Sequence, residues 1–178
     1  MKKLLFAAIA FALVCSCNNK DQKPASVMSD NKSSDIVIED TAIYGDYSDA
    51  ASQTLELMLA SDTTKPVTFF IPDDSITPKD DIVFGGIVGG SKFAVIADKD
   101  PLGDYDYVAK KIINLTTLMG KWVETINHDT LNLDDEKSWI KNGQIIATGE
   151  PLDITYLDVD TLELESKDYI RRYYRSKK

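Results

Sequence analysis

Trp139-Ile140-Lys141-Asn142-Gly143-Gln144-Ile145-Ile146 is the stretch that decides the fold of this chain. Asn142 and Gly143 both accept positive φ, so together they make the two-residue turn whose twist matches a pair of antiparallel strands, and apolar residues flank it on either side. The segment reads as a β-hairpin. The same period of two continues outward: Leu162 and Leu164 sit between Thr161, Glu163 and Glu165, and Leu55, Leu57 and Leu59 alternate with polar or softer residues. Strands are expected near 36–44, 52–60, 66–71, 82–88, 92–98 and 106–115, then near 120–126, 130–133, 137–141, 144–148, 152–158, 161–166 and 168–175. Breakers separate them at Pro72-Asp73-Asp74, Gly89-Gly90, Pro101-Leu102-Gly103, Asn142-Gly143 and Gly149-Glu150-Pro151. The expected fold is all-β, with two small antiparallel β-barrel or meander domains over 36–115 and 116–178. One short helical turn is expected at Thr116-Thr117-Leu118-Met119, and the alternating leucines favour strand over helix for 52–59.

The chain opens with MKKLLFAAIAFALVCSC over residues 1–17. Lys2 and Lys3 make a positive n-region, and the eleven-residue apolar run Leu4 to Val14 is long enough for a signal peptide and too short to cross the hydrocarbon core. Val14-Cys15-Ser16-Cys17 resembles the lipobox of bacterial lipoproteins. That resemblance implies a leader over 1–16, acylation of Cys17 and, because Asn18 and Asn19 follow with no aspartate, an outer-membrane lipoprotein facing the periplasm or the cell surface. Two or more acyl chains on one cysteine make a stable membrane anchor. Residues 17–35 carry the lipidated cysteine and a polar tether, too poor in large apolar groups to offset their ordering entropy by burial.

Composition excludes several chemistries. With Cys17 committed to lipid, the mature chain has no thiol for disulfides or thiolate metal sites, and His128 is the sole histidine, in a polar turn. Two of the twenty basic residues lie in the leader, so eighteen face twenty-nine acidic ones, a formal charge of −11. Such a surface repels nucleic acid and anionic lipid. Residues 98–106 hold four carboxylates, those of Asp98, Asp100, Asp104 and Asp106, yet Leu102 occupies a ligand position of an EF-hand and Ala109 stands where a closing glutamate belongs, so a solvated acidic loop is expected. Gly85-Gly86-Ile87-Val88-Gly89-Gly90 lacks the Lys-Ser/Thr of a phosphate loop and reads as the end of one strand joined to the next through a hairpin turn at Gly89-Gly90. No nucleophile, base and orienting group come together, no catalytic residue is assigned, and no cofactor or metal is expected.

Leu118-Met119-Gly120-Lys121-Trp122 resembles the short helical turn and Gly-x-Trp that open the first strand of lipocalins. The series Trp139 to Gly143, Ile146 to Gly149, Leu152 to Ile154, Asp160 to Leu164 and Asp168 to Arg175 is similar to the C-terminal part of lipocalin-like lipoproteins of gut-type Gram-negative bacteria. The resemblance covers about 112–176. It implies that Gly120 and Trp122 close one end of a barrel and that Arg172 lies across the indole, a cation–π contact of ~1 kcal/mol. It also implies a pocket for a small apolar ligand, for which Trp139, Ile146, Ile154 and Tyr156 are the candidate lining, although plain core is the commoner role for such residues. Residues 36–115 suit a five- or six-stranded barrel of the oligomer-binding or SH3-like kind.

Two functions stay open at this point. One is a cell-envelope lipoprotein that binds a small apolar molecule. The other is a non-catalytic interaction or assembly module that contacts another envelope protein. An accessible apolar cavity favours the first, and a filled barrel with exposed apolar surface favours the second.

Overall fold

A computed structural model describes residues 39–134, 140–146 and 149–176. The leader, Cys17, the tether and Trp139 lie outside the described residues. Among the described residues, thirteen strands, one short α-helix and one turn of 3-10 helix at Lys79–Asp81 account for the fold, which is nearly all β, as expected.

The first sheet contains β1 (Ile43–Ala51), β2 (Thr54–Leu59), β3 (Asp62–Phe70), β4 (Val83–Phe84), β5 (Lys92–Lys99) and β6 (Tyr107–Asn114), in the order β3-β2-β1-β5-β6-β4. β3 also pairs with β6 in parallel, through Phe69↔Tyr107 and Phe70↔Val108, and this closes five strands into a barrel. A full barrel leaves no edge for these strands to expose. Its interior is packed by Leu55, Leu57, Phe69, Ile71, Phe93, Val95 and Ile112, each fully buried.

The first strand departs from expectation. A strand was expected over 36–44 with a break before 52, but β1 runs from Ile43 to Ala51. Its Gly, Asp and Ser content reads locally as a turn. Tertiary pairing overrides that reading, because β1 is held on one edge by β2 and on the other by β5, with a bulge between Tyr47 and Asp49 that breaks the apolar alternation.

The second sheet contains β7 (Gly120–Glu124), β8 (Thr130–Leu133), β9 (Ile140–Lys141), β10 (Gln144–Ile145), β11 (Leu152–Leu157), β12 (Thr161–Glu165) and β13 (Ile170–Arg175). Its order is β8-β7-β13-β12-β11-β10-β9, all antiparallel, with the last strand returning beside the first. The sheet curls into a half-barrel. Asn142 (φ 50) and Gly143 (φ 73) form the β9–β10 turn, as their acceptance of positive φ predicts. Between the two sheets, α1 (Leu115–Leu118) is capped by the Asn114 side chain, which accepts a 3.0 Å hydrogen bond from the Thr117 N–H.

Three short segments of the barrel are buried on both faces. In Phe93-Ala94-Val95, the outer two residues point into the barrel and Ala94 points out of it; Ile112-Ile113 and Val83-Phe84 split in the same way. The outward residues Phe84, Ala94 and Ile113 join Leu115 and Leu118 of α1 in the buried cluster of the half-barrel, against Trp122, Leu133, Ile145, Leu152, Ile154, Leu162 and Leu164. This explains why these segments are unbroken apolar runs whereas Leu55 and Leu57 alternate with polar neighbours.

Candidate functional site

At the α1 end of the curled sheet, Trp122 is fully buried and its indole N–H donates to the Leu118 carbonyl at 2.8 Å. A guanidinium does cover the ring, but it belongs to Arg175, 4.2 Å from the ring, and not to Arg172. The cause is strand parity. On β13, Arg171, Tyr173 and Arg175 face the concave side, with Arg175 directly across from Trp122, whereas Arg172 faces outward and pairs with Glu163 of β12. Arg175 also donates to the carbonyls of Met119 at 2.8 Å, Thr117 and Val159. One side chain thereby satisfies carbonyls from the end of α1 and from the β11–β12 turn while covering an aromatic face. Gly120 belongs to the same device: its φ is +125, and a Cβ there would sit 2.9 Å from an Arg175 nitrogen.

The three described candidates for ligand binding, Ile146, Ile154 and Tyr156, do not face a common space. Ile154 is 1 % exposed and packs in the filled core, Ile146 is half-buried, and Tyr156 points out of the sheet with 47 % of its surface exposed. Trp139 lies outside the described residues. A bulge between Ile154 and Tyr156 turns Tyr156 outward and returns Leu157 to the core, a shift of parity that alternation in the sequence does not reveal. The concave face that would hold cargo is occupied by Phe84, Ala94, Ile113, Leu115 and Leu118.

Open space lies instead along the seam between barrel and half-barrel. One pocket of about 410 Å³ is lined by Tyr44, Gly45, Ala60, Phe93, Leu115 and Ile140, with Asp40, Asp46 and Lys92 also on its wall. The Tyr44 phenol donates to Asp40 at 2.8 Å, and its pKa is raised, first by burial and then by that carboxylate. Asp40 also accepts from the backbone N–H of Asn142 at 2.9 Å, tying the β9–β10 turn to the start of the barrel. A second cleft of about 660 Å³ runs between residues 79–87 and the outer end of β11, with Tyr156 on its wall. Tyr44 carries no motif, and of the strand expected near 82–88 only Val83–Phe84 forms, so that Gly85 to Ile87 turn along the cleft instead.

Other polar groups are structural. Buried Asn114 caps α1, donates to the Gly86 carbonyl at 3.0 Å and to the Ser91 hydroxyl at 3.2 Å, and so ties β6 to the loop before β5. Buried Glu124 accepts from Asn127 at 3.1 Å and faces Arg171 at 3.9 Å. In the acidic loop, Asp100 accepts from the N–H groups of Tyr105 (3.0 Å) and Leu102 (3.1 Å), which hold its carboxyl below the ordinary range. His128 is exposed in the β7–β8 turn at φ 60. Among the described residues, no group of three His, Cys, Asp or Glu side chains is arranged to hold a metal ion, and no helix is long and apolar enough to cross a membrane. No protein-family model, no curated protein and no solved structure matches the chain.

Proposed function

We infer that the chain is a cell-envelope lipoprotein, anchored at the outer membrane through acylated Cys17, whose lipocalin-like second sheet serves as a non-catalytic interaction module. The observation that carries this reading is the filled concave face: a carrier needs an empty interior, and here five side chains of the barrel and α1 occupy it. Exposed apolar side chains support it as well. Ile126 is 79 % exposed in the β7–β8 turn and Ile170 62 % exposed at the start of β13. The hydrogen bond from the Thr125 N–H to the Arg172 carbonyl sets the β7–β8 turn beside the first residues of β13, at the end of the sheet away from Trp122. The surface charge and the leader together argue against nucleic acid as a partner.

The test is site-specific photocrosslinking in intact envelopes from positions 126 and 170. A discrete protein adduct from both positions, abolished by Ile170→Asp and absent from position 104 in the acidic loop, supports the module. Metabolic labelling with an acyl precursor tests the anchor: label should enter the wild-type chain and not Cys17→Ala.

The seam pocket beside Tyr44 favours a second reading, retention of a small apolar molecule, because its volume lies in the range of ligand sites and Phe93, Leu115 and Ile140 line it. Native mass spectrometry of the gently purified full chain separates the two. A stoichiometric small-molecule adduct supports the carrier, and an apo mass supports the module.

A further inference from the structure

We propose that the cleft between residues 79–87 and the end of β11 is a binding site for a small organic cation, a protonated amine carried on an apolar or ring-shaped body. The proposal goes beyond the interaction module and stands without it. β10 ends opposite Leu152 and Asp153, so the second half of β11 has a free edge within the sheet. Barrel residues dock on that edge through the Gly85 N–H, which donates to the Leu157 carbonyl at 2.9 Å. Asn114 and Thr117 hold the docked segment from below, through the carbonyls of Gly86 (3.0 Å) and Gly85 (3.1 Å). The cleft is therefore preorganised, and binding need not order its walls.

Its chemistry is divided. Phe84 and Leu157 supply an apolar floor, Val83 and Ile87 a half-buried wall, and the β11 bulge turns the Tyr156 ring out beside them. The ring is held in one orientation, since its hydroxyl donates to Asp158 at 2.9 Å. At the rim stand Lys79, Asp80 and Asp81. The Lys79 ammonium is already engaged, donating to the Ser52 carbonyl at 2.8 Å, and the nearby Glu163 carboxylate is spent on Arg172. Among the described residues, the Asp80 and Asp81 carboxylates have no hydrogen-bonding or ion-pair partner. The Ser52 carbonyl is neutral and leaves the Lys79 charge in place, so one ammonium and two carboxylates still leave the rim net negative, on a chain whose net charge also favours cations. An ammonium between these carboxylates places its body over the apolar floor and the tyrosine face, where cation–π attraction adds to burial.

The test uses the full-length chain in detergent and a matched pair of probes, cyclohexylammonium and neutral cyclohexanol, followed by backbone amide NMR. Saturable shifts confined to 80–87 and 155–157 with the cation alone are the expected result. Asp80→Asn/Asp81→Asn, both exposed positions, should weaken that binding about tenfold without loss of fold, as expected for two solvent-accessible ion pairs. Tyr156→Leu should weaken it with the carboxylates intact. Equal shifts from both probes, shifts centred elsewhere, unchanged affinity in the double variant, or no shift at ~10 mM cation would overturn the proposal.

Discussion

Arg175 lies 4.2 Å from the Trp122 ring while donating to the carbonyls of Met119, Thr117 and Val159. Three backbone groups and one aromatic face thus depend on one guanidinium. Arg175→Met should remove about 2–4 kcal/mol of stability in chemical denaturation, since it leaves carbonyls without their donor. Arg172→Met removes only an outward pair with Glu163 and should cost no more than about 1 kcal/mol. Equal losses at both positions would contradict the parity of β13.

Gly120 should not tolerate a side chain. Its φ of +125 is unfavourable for L-residues, and an added Cβ meets the Arg175 guanidinium at 2.9 Å. Gly120→Ala is expected to destabilise by about 1–3 kcal/mol, read as a lower denaturation midpoint. In an Arg175→Met background the steric part of that cost should fall, and a double-mutant cycle measures the difference.

Asn114 is fully buried with its amide and carbonyl both used. Asn114→Leu retains volume but removes the cap of α1 and leaves the Gly86 carbonyl and the Thr117 N–H without their partner. The expected loss is about 2–4 kcal/mol. Slower amide exchange at Thr117 in the variant than in the wild type would count against the capping role.

At acid pH, Asp100 sets one direction. Hydrogen bonds from the Tyr105 and then the Leu102 N–H lower its folded-state pKa, so its contribution is complete above the unfolded aspartate value of about 4 and is lost as pH falls through the lower folded value. Asp100→Asn should flatten the acid limb of the stability profile. Tyr44 acts at the other end. Its raised pKa gives a contribution that is complete below about pH 10 and declines above it, so Tyr44→Phe should reduce alkaline sensitivity measured by thermal melting.

Gly143 packs closely against the barrel. Its φ is +73, and a Cβ there would lie 3.0 Å from Ile96 of β5. Gly143→Val should therefore destabilise by about 2 kcal/mol or more, whereas Asn142→Gly, which keeps the positive φ, should change stability by less than about 1 kcal/mol.

The sequence by itself determined the strands whose signals are local. Asn142-Gly143 marked its turn because few residues accept positive φ, and β8, β12 and the first half of β11 showed the alternation of one buried and one solvated face. It also singled out Gly120 and Trp122 as a pair with the helical turn before them. Tertiary structure alone decided three things. Parity at β13 chose Arg175 over Arg172, because either register of Ile170 to Arg175 buries an aromatic and only pairing with β7 selects Tyr173. Pairing on both edges made β1 a strand, against its Gly, Asp and Ser content. Finally, Ala94, Ile113 and Phe84 read along the chain as ordinary core residues, but they leave the barrel outward and fill the half-barrel. Hydrophobicity specifies that such side chains are buried and not against what, and that choice moved the open space from the interior of the second sheet to the seam between the two.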